Sequence, residues 1–226
     1  QVHTFNKPSS DNHSVGNEDE DLVEGIIQLP SLTGNLVKEY DHTVAITEHY
    51  RFQDTLLGKG SSAHVVLGVN KKTQRRYAIK VVDITKRNAA WRFDREFDIL
   101  KECDHINITR IFEMYRKKNA LYFVMELHTG GHLGQAVLNH RGPLPQEKAR
   151  AYILQLTQAI AHCHHRGICH RDIKLQNIVL ENKGAEAQIK LLDFGNATRF
   201  VGNTPMNKLV GTTYTCAPEV FKQEYD

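Results

Sequence analysis

The chain has 226 residues, of which 40% are hydrophobic and 24% charged, with a formal net charge of +3. That is enough apolar mass for one large domain or two small lobes, while no apolar run approaches the ~18 residues a membrane helix needs, which excludes a membrane span. The four cysteines, Cys103, Cys163, Cys169 and Cys216, are too few and too scattered for a disulfide framework; their free thiols point to a reducing compartment, cytoplasmic or nuclear.

Charge is distributed unevenly. Residues 1–48 hold two basic residues (Lys7, Lys38) against nine acidic ones, a balance of −7, so the remainder carries +10 within the overall +3. A basic remainder suits a polyphosphate ligand as well as a plain solvated surface, and no nucleic-acid partner is expected. Gln1 to about Asp21 is polar, carries the acidic cluster Glu18-Asp19-Glu20-Asp21, and is predicted to be disordered. Leu22 to Val44 has enough Ile, Leu and Val to pack on the domain that follows or cover part of its cleft. Gly16 falls at the sixth position of a calcium loop over Asp11 to Leu22, but His13 and Val15 replace oxygen ligands and Leu22 replaces the bidentate Glu.

From Tyr50 the pattern becomes that of strands. Tyr50–Leu57 alternates, Gly58-Lys59-Gly60-Ser61-Ser62-Ala63-His64-Val65 turns, and Val65–Val69 alternates again. The backbone N–H groups of such a small-residue turn can approach phosphate oxygens, although a bare Gly-x-Gly is more often an ordinary turn. Tyr77-Ala78-Ile79-Lys80-Val81-Val82 is a β-type run with one lysine inside it. That lysine needs an anion and a carboxylate, or it carries a desolvation cost of about 3 kcal/mol or more. Glu96 supplies the carboxylate from a helix predicted over about Ala89 to Cys103, with Phe93, Phe97 and Leu100 apolar. Leu121–Leu127 reads as the last strand of this small, mainly β lobe. Ala149, Tyr152, Ile153, Leu156, Ile160 and Cys163 then mark a helix over Gln146–His165, with Pro145 at its start and Gly167 after its end. Cys163-His164-His165 and Cys169-His170 cluster like zinc ligands, but Cys163 falls on the helix's apolar stripe, which argues against a metal site.

His170-Arg171-Asp172-Ile173-Lys174-Leu175-Gln176-Asn177 is followed sixteen residues later by Asp193-Phe194-Gly195. This order provides what phosphoryl transfer from ATP requires: a carboxylate to orient a hydroxyl and take its proton, a lysine, and an amide and a second carboxylate for Mg²⁺. With the upstream turn, Lys80 and Glu96, the chain from about Tyr50 onward resembles the eukaryotic protein kinases. The resemblance implies an α+β, bilobal protein-kinase-like fold with a β-rich N-lobe containing helix C and an incomplete, mainly helical C-lobe. It divides the chain into an N-terminal extension (1–48) and a kinase domain (49–226), itself an N-lobe (49–127) and a partial C-lobe (128–226). It further implies that Lys80 holds the α- and β-phosphates and Glu96 is its ion-pair partner. Asp172 is then the catalytic base, Lys174 contacts the transferred phosphate, and Asn177 and Asp193 are the magnesium ligands. Leu57, Gly58, Gly60 and Ser61 line the nucleotide. Met125 is the gatekeeper, Glu126 and His128 present backbone to the adenine edge, and Val65, Ala78 and Val179 sandwich the ring. His170 is structural, Ala217-Pro218-Glu219 closes the activation segment, and Lys174 with Thr212 implies Ser/Thr specificity. ATP and Mg²⁺ are the implied cofactors, and proteins bearing Ser/Thr acceptors the implied partners.

Within that family, Thr129-Gly130-Gly131, Arg95-Glu96-Phe97-Asp98-Ile99-Leu100 and Asn207-Lys208-Leu209-Val210-Gly211-Thr212 resemble the calcium/calmodulin-dependent group, most of all calcium-dependent protein kinases. A calcium-sensing module, if any, lies outside this chain. Four departures matter. Ala63 replaces the third glycine of the turn. His132 and Gln176 stand where the group has Glu, which weakens any preference for an arginine upstream of the acceptor. Lys208 occupies the usual phosphoacceptor position, implying activity without obligatory loop phosphorylation. The chain ends shortly after Glu219, before further C-lobe helices, and so is expected to be a fragment of a longer product. A second reading is a non-catalytic kinase-like binding or regulatory module, inactive because its C-lobe is truncated.

Overall fold

The computed structural model describes residues 37–60, 63–85, 89–140, 142–202 and 204–225. The first part builds one six-stranded sheet. Its strands are β1 (Lys38–Tyr40), β2 (Tyr50–Lys59), β3 (Ala63–Asn70), β4 (Arg76–Asp83), β5 (Ile111–Arg116) and β6 (Ala120–Met125), in the spatial order β1-β5-β6-β4-β3-β2. A short helix, α1 (Ile46–His49), leads into β2, and α2 (Ala89–Leu100) lies between β4 and β5 in sequence. All pairings are antiparallel except β1 with β5, which run parallel in the register Lys38↔Glu113 and Tyr40↔Tyr115.

The period-two alternation of the strands separates two cores. On one face Ile79, Tyr50, Tyr115 and Val124 pack with Ile46 of α1. On the other, Val82, Leu121 and Phe123 pack against Phe93, Phe97 and Leu100 of α2, and Phe97 stacks on Phe123 at 5.8 Å between ring centroids. Lys80, two residues from Val82, therefore faces α2. The same core continues through Ile108, Leu191, Phe194, Ile168 and Cys163, so one buried cluster joins the sheet to the helical part. α2 ends at Leu100, and a further turn, with the Cys103 N–H donating to the Leu100 carbonyl at 3.1 Å, completes the segment expected to be helical.

The second part begins with α3 (Leu133–Asn139) and α4 (Gln146–His165). It continues through the paired strands β8 (Ile178–Leu180) with β9 (Ile189–Leu191), and β7 (Ile168–Cys169) with β10 (Thr198–Arg199), to α5 (Pro218–Phe221). α4 has the bounds its periodicity predicts, with Tyr152, Ala159 and Cys163 buried. Ile153, expected on the buried stripe, instead lies round the helix from Tyr152 and is 63% exposed, beside an exposed Leu154. Of the residues grouped as zinc-like, Cys163 is buried in the core, His164 and His165 are exposed, and the His170 Nε2–H donates to the Leu192 carbonyl at 3.0 Å. The Asp11–Leu22 segment lies outside the described residues, as does Ser61.

Candidate active site

Lys80 is held on β4 and Glu96 on the inner face of α2, and the Lys80 Nζ donates to Glu96 Oε1 at 2.5 Å. Glu96 is buried, and its second oxygen, Oε2, has no hydrogen-bond partner among the described residues. The pair lines a cavity of about 290 Å³ that also takes in Gly58, Gly60, Val65, Met125 and Asp193. Across the hairpin that roofs this cavity, Gly58 faces Val65, and the Gly60 N–H donates to the Ala63 carbonyl at 2.8 Å, so alanine in place of the third glycine leaves the turn closed. Leu57, Ala78, Glu126, His128 and Val179 lie outside the cavity lining: Leu57 is 40% exposed near the end of β2, Ala78 faces Met125 across β4 and β6, and Val179 on β8 bridges to His132.

The catalytic-type loop is tied around Asp172. The Thr212 hydroxyl donates to Asp172 Oδ1 at 2.7 Å, and Lys174 Nζ donates both to Asp172 Oδ2 at 2.9 Å and to Thr212 Oγ1 at 2.7 Å. Asn177 Nδ2 donates to the Asp172 backbone carbonyl at 2.9 Å, which turns its amide oxygen the other way. Burial by itself raises the Asp172 carboxyl, but hydrogen bonds from Thr212, Lys174 and Asn177 and the Lys174 charge outweigh it and hold the pKa below the ordinary carboxylate value. Asp172 is thus an ionised acceptor at neutral pH. Burial pushes His170 down, so its ring is neutral and positioned between the Leu192 carbonyl and the Phe194 ring, 4.7 Å away centroid to centroid. It is a strut of the loop.

Asp193 has a left-handed backbone (φ +60°), and its Oδ1 accepts the Gly195 N–H at 3.2 Å. A Cβ on Gly195 would sit 3.1 Å from that oxygen and 3.6 Å from Glu96 Oε2, so a side chain there would press on the Asp193 carboxylate. Gly211 is constrained more sharply. Its φ is +102°, and a Cβ there would come within 2.5 Å of the Arg171 carbonyl.

At the link between the two parts, sequence reasoning missed two residues. Lys190 on β9 donates to both carboxylate oxygens of Glu126 at 2.9 Å, and Thr109 Oγ1 lies 3.0 Å from His128 Nε2. Burial lowers the His128 pKa to about 4, so the ring is neutral and the Thr109 contact is an ordinary hydrogen bond. Lys190 had a readable signal: it is a lysine inside the apolar run Ile189–Leu192, the same reasoning that located the partner of Lys80.

A profile of the protein kinase domain matches residues 52–226. The chain therefore belongs to the protein kinase family. Calcium-dependent protein kinase 5 of Plasmodium berghei (strain Anka) is 37% identical over 177 residues, covering 78% of this chain and 31% of that protein. Calcium-dependent protein kinase 5 of Plasmodium falciparum (isolate 3D7) is 34% identical, covering 80% and 32%. CBL-interacting serine/threonine-protein kinase 26 of Arabidopsis thaliana is 36% identical, covering 75% and 39%. The chain thus spans about a third of the length of the curated relatives it matches, and its likeness is to serine/threonine kinases, most of all the calcium-dependent ones.

Proposed function

We propose that this chain carries the catalytic machinery of an ATP-dependent serine/threonine protein kinase. The observation that carries the reading is the triangle of Asp172, Lys174 and Thr212, closed by contacts of 2.7–2.9 Å. It holds an ionised carboxylate beside a fixed cation. Asp172 orients an acceptor hydroxyl and takes its proton, and Lys174 sets positive charge where the transferred phosphate becomes more negative. Lys80, positioned by Glu96, contacts the α- and β-phosphates in the cavity. The Glu126 N–H already donates to the Arg110 carbonyl at 2.9 Å, so of its two backbone groups the carbonyl is the one it offers to an adenine edge. Asn177 and Asp193 provide hard oxygen donors that fit Mg²⁺, whose role when bound is to neutralise phosphate charge.

Protein substrates with Ser or Thr acceptors are the partners of this reading, and Gln176 and His132, neither of them a carboxylate, favour substrates without an upstream arginine. Calcium control, as the names of the relatives suggest, belongs to a module outside residues 1–226. The thiols of Cys103, Cys163, Cys169 and Cys216 suit a reducing, cytoplasmic setting. Transfer of the γ-phosphate from Mg²⁺-ATP to a Ser-containing protein substrate, with Asp193→Ala as the blank, tests the reading in this chain and in a longer form. Transfer by either form supports it. Nucleotide binding without transfer by both favours a binding module.

A further inference from the structure

Arg171 precedes the proposed base directly and holds a strained, left-handed backbone (φ +64°). Its guanidinium spans two separate stretches of chain. Nε–H donates to the Asn196 carbonyl at 2.8 Å, just beyond Gly195, and an Nη1–H donates to the Tyr225 hydroxyl at 3.3 Å. Among the described residues no carboxylate lies within ion-pair distance of Arg171, although Arg95 of α2 lies close enough to be lowered by its charge, after burial. The Tyr225 hydroxyl passes the contact on by donating to the Lys208 carbonyl at 2.7 Å. The backbone just before Lys208 is laced to Tyr225 as well. The Met206 N–H donates to the Tyr225 carbonyl at 2.6 Å and the Tyr225 N–H to the Met206 carbonyl at 3.1 Å. Tyr225 is 7% exposed, so its ring is fixed by packing.

We infer that Tyr225 is a positioning residue that orders the segment 206–211 against Arg171 with a neutral hydroxyl, where among the described residues no carboxylate reaches the guanidinium. A phenol oxygen is suited to this because it accepts from a guanidinium and donates to a carbonyl at once. Lys208 contributes its main-chain oxygen to the arrangement, so its side chain is immaterial to it. Order reaches the base by a short route: Gly211 packs directly on the Arg171 carbonyl, and Thr212, the next residue, holds Asp172. The inference rests on the kinase reading for its effect on catalysis, but the ordering itself can be read independently.

Tyr225→Phe removes one oxygen and keeps the ring. In the intact protein, the amides of 206–211 are expected to exchange with deuterium about tenfold faster in Tyr225→Phe, with kcat down about tenfold and the dissociation constant for ATP unchanged. Arg171→Lys, which loses the planar fork, is expected to raise the same exchange rates, and the double variant to add little to either single one. If melting shows that Tyr225→Phe does not fold, exchange in Arg171→Lys decides the matter alone. Unchanged exchange across 206–211 overturns the inference. So does a wild-type protein that loses activity on dephosphorylation of Thr204, Thr213 or Thr215 while Tyr225→Phe retains it. A protein with no phosphotransfer at all defeats the kinase reading, and the exchange comparison still stands or falls by itself.

Discussion

Thr212 donates to the Asp172 carboxylate at 2.7 Å from forty residues further along the chain. The hydroxyl simultaneously accepts from Lys174, so a single oxygen sets the distance between a base and a cation. Thr212→Val keeps the shape and removes the oxygen. It is expected to reduce kcat by about 10²-fold with ATP affinity unchanged, and Thr212→Ser to restore most of the loss. Steady-state kinetics on a Ser-containing substrate checks both.

Glu96 offers a different separation of effects. Its Oε1 holds Lys80, and its Oε2 is buried without a hydrogen-bond partner among the described residues. Removing the carboxylate with Glu96→Ala leaves a largely buried ammonium, and is expected to cost about 3 kcal/mol of unfolding free energy together with more than tenfold in kcat/KM for ATP. Urea unfolding and ATP titration report the two losses. Glu96→Gln, which still offers an acceptor, is expected to be milder in stability than in catalysis.

Substrate preference is expected to follow from two positions that carry no carboxylate, Gln176 and His132. The Gln176 amide donates to the Tyr214 hydroxyl at 3.3 Å, and His132 precedes α3 on the same side of the loop. Peptide arrays are expected to show no strong selection for arginine upstream of the acceptor. Gln176→Glu combined with His132→Glu is expected to raise kcat/KM for an arginine-containing peptide about tenfold, because charge-assisted pairs become available.

The pH dependence of folding follows from the histidines. Burial lowers His128 and His162 to about 4 and pushes His105 and His170 down as well. Between the ordinary value of 6.5 and about 4, the unfolded chain binds protons that the fold refuses. Stability is therefore full above pH 6.5 and declines as the pH falls towards 4. Melting temperatures measured across this range check the sign, and His162→Gln is expected to flatten the decline.

Where the chemistry is local, the fold was readable. A lysine inside a β run required a carboxylate, and Glu96 was identifiable as the partner on an amphipathic helix. α4 begins and ends where Pro145 and Gly167 say it should. Contacts between distant stretches were not readable in the same way. β1 and α1 went unassigned: β1 is three residues held by pairing with β5, with no strand pattern of its own. The Arg171–Tyr225 contact depends on how the segment after Ala217-Pro218-Glu219 folds back, which no spacing encodes. Ile153 shows the limit of periodicity, since a position next to a buried one can fall on either side of a helix.

The parallel strand β1 also changes what the sheet can do with other molecules. Without it, the main-chain groups of β5 would stand unpaired along a flat rim, a template for another extended chain. Lys38–Tyr40 pair with Glu113–Tyr115 along that rim, and the stacking of Tyr40 on Tyr115 at 4.4 Å and a Lys101–Glu39 ion pair at 3.5 Å hold them there. Trimming the chain through Tyr40 would thus first appear as self-association in a sizing experiment, before any change in phosphotransfer. The sheet thus ends on that side in a strand only three residues long, a short template for another chain.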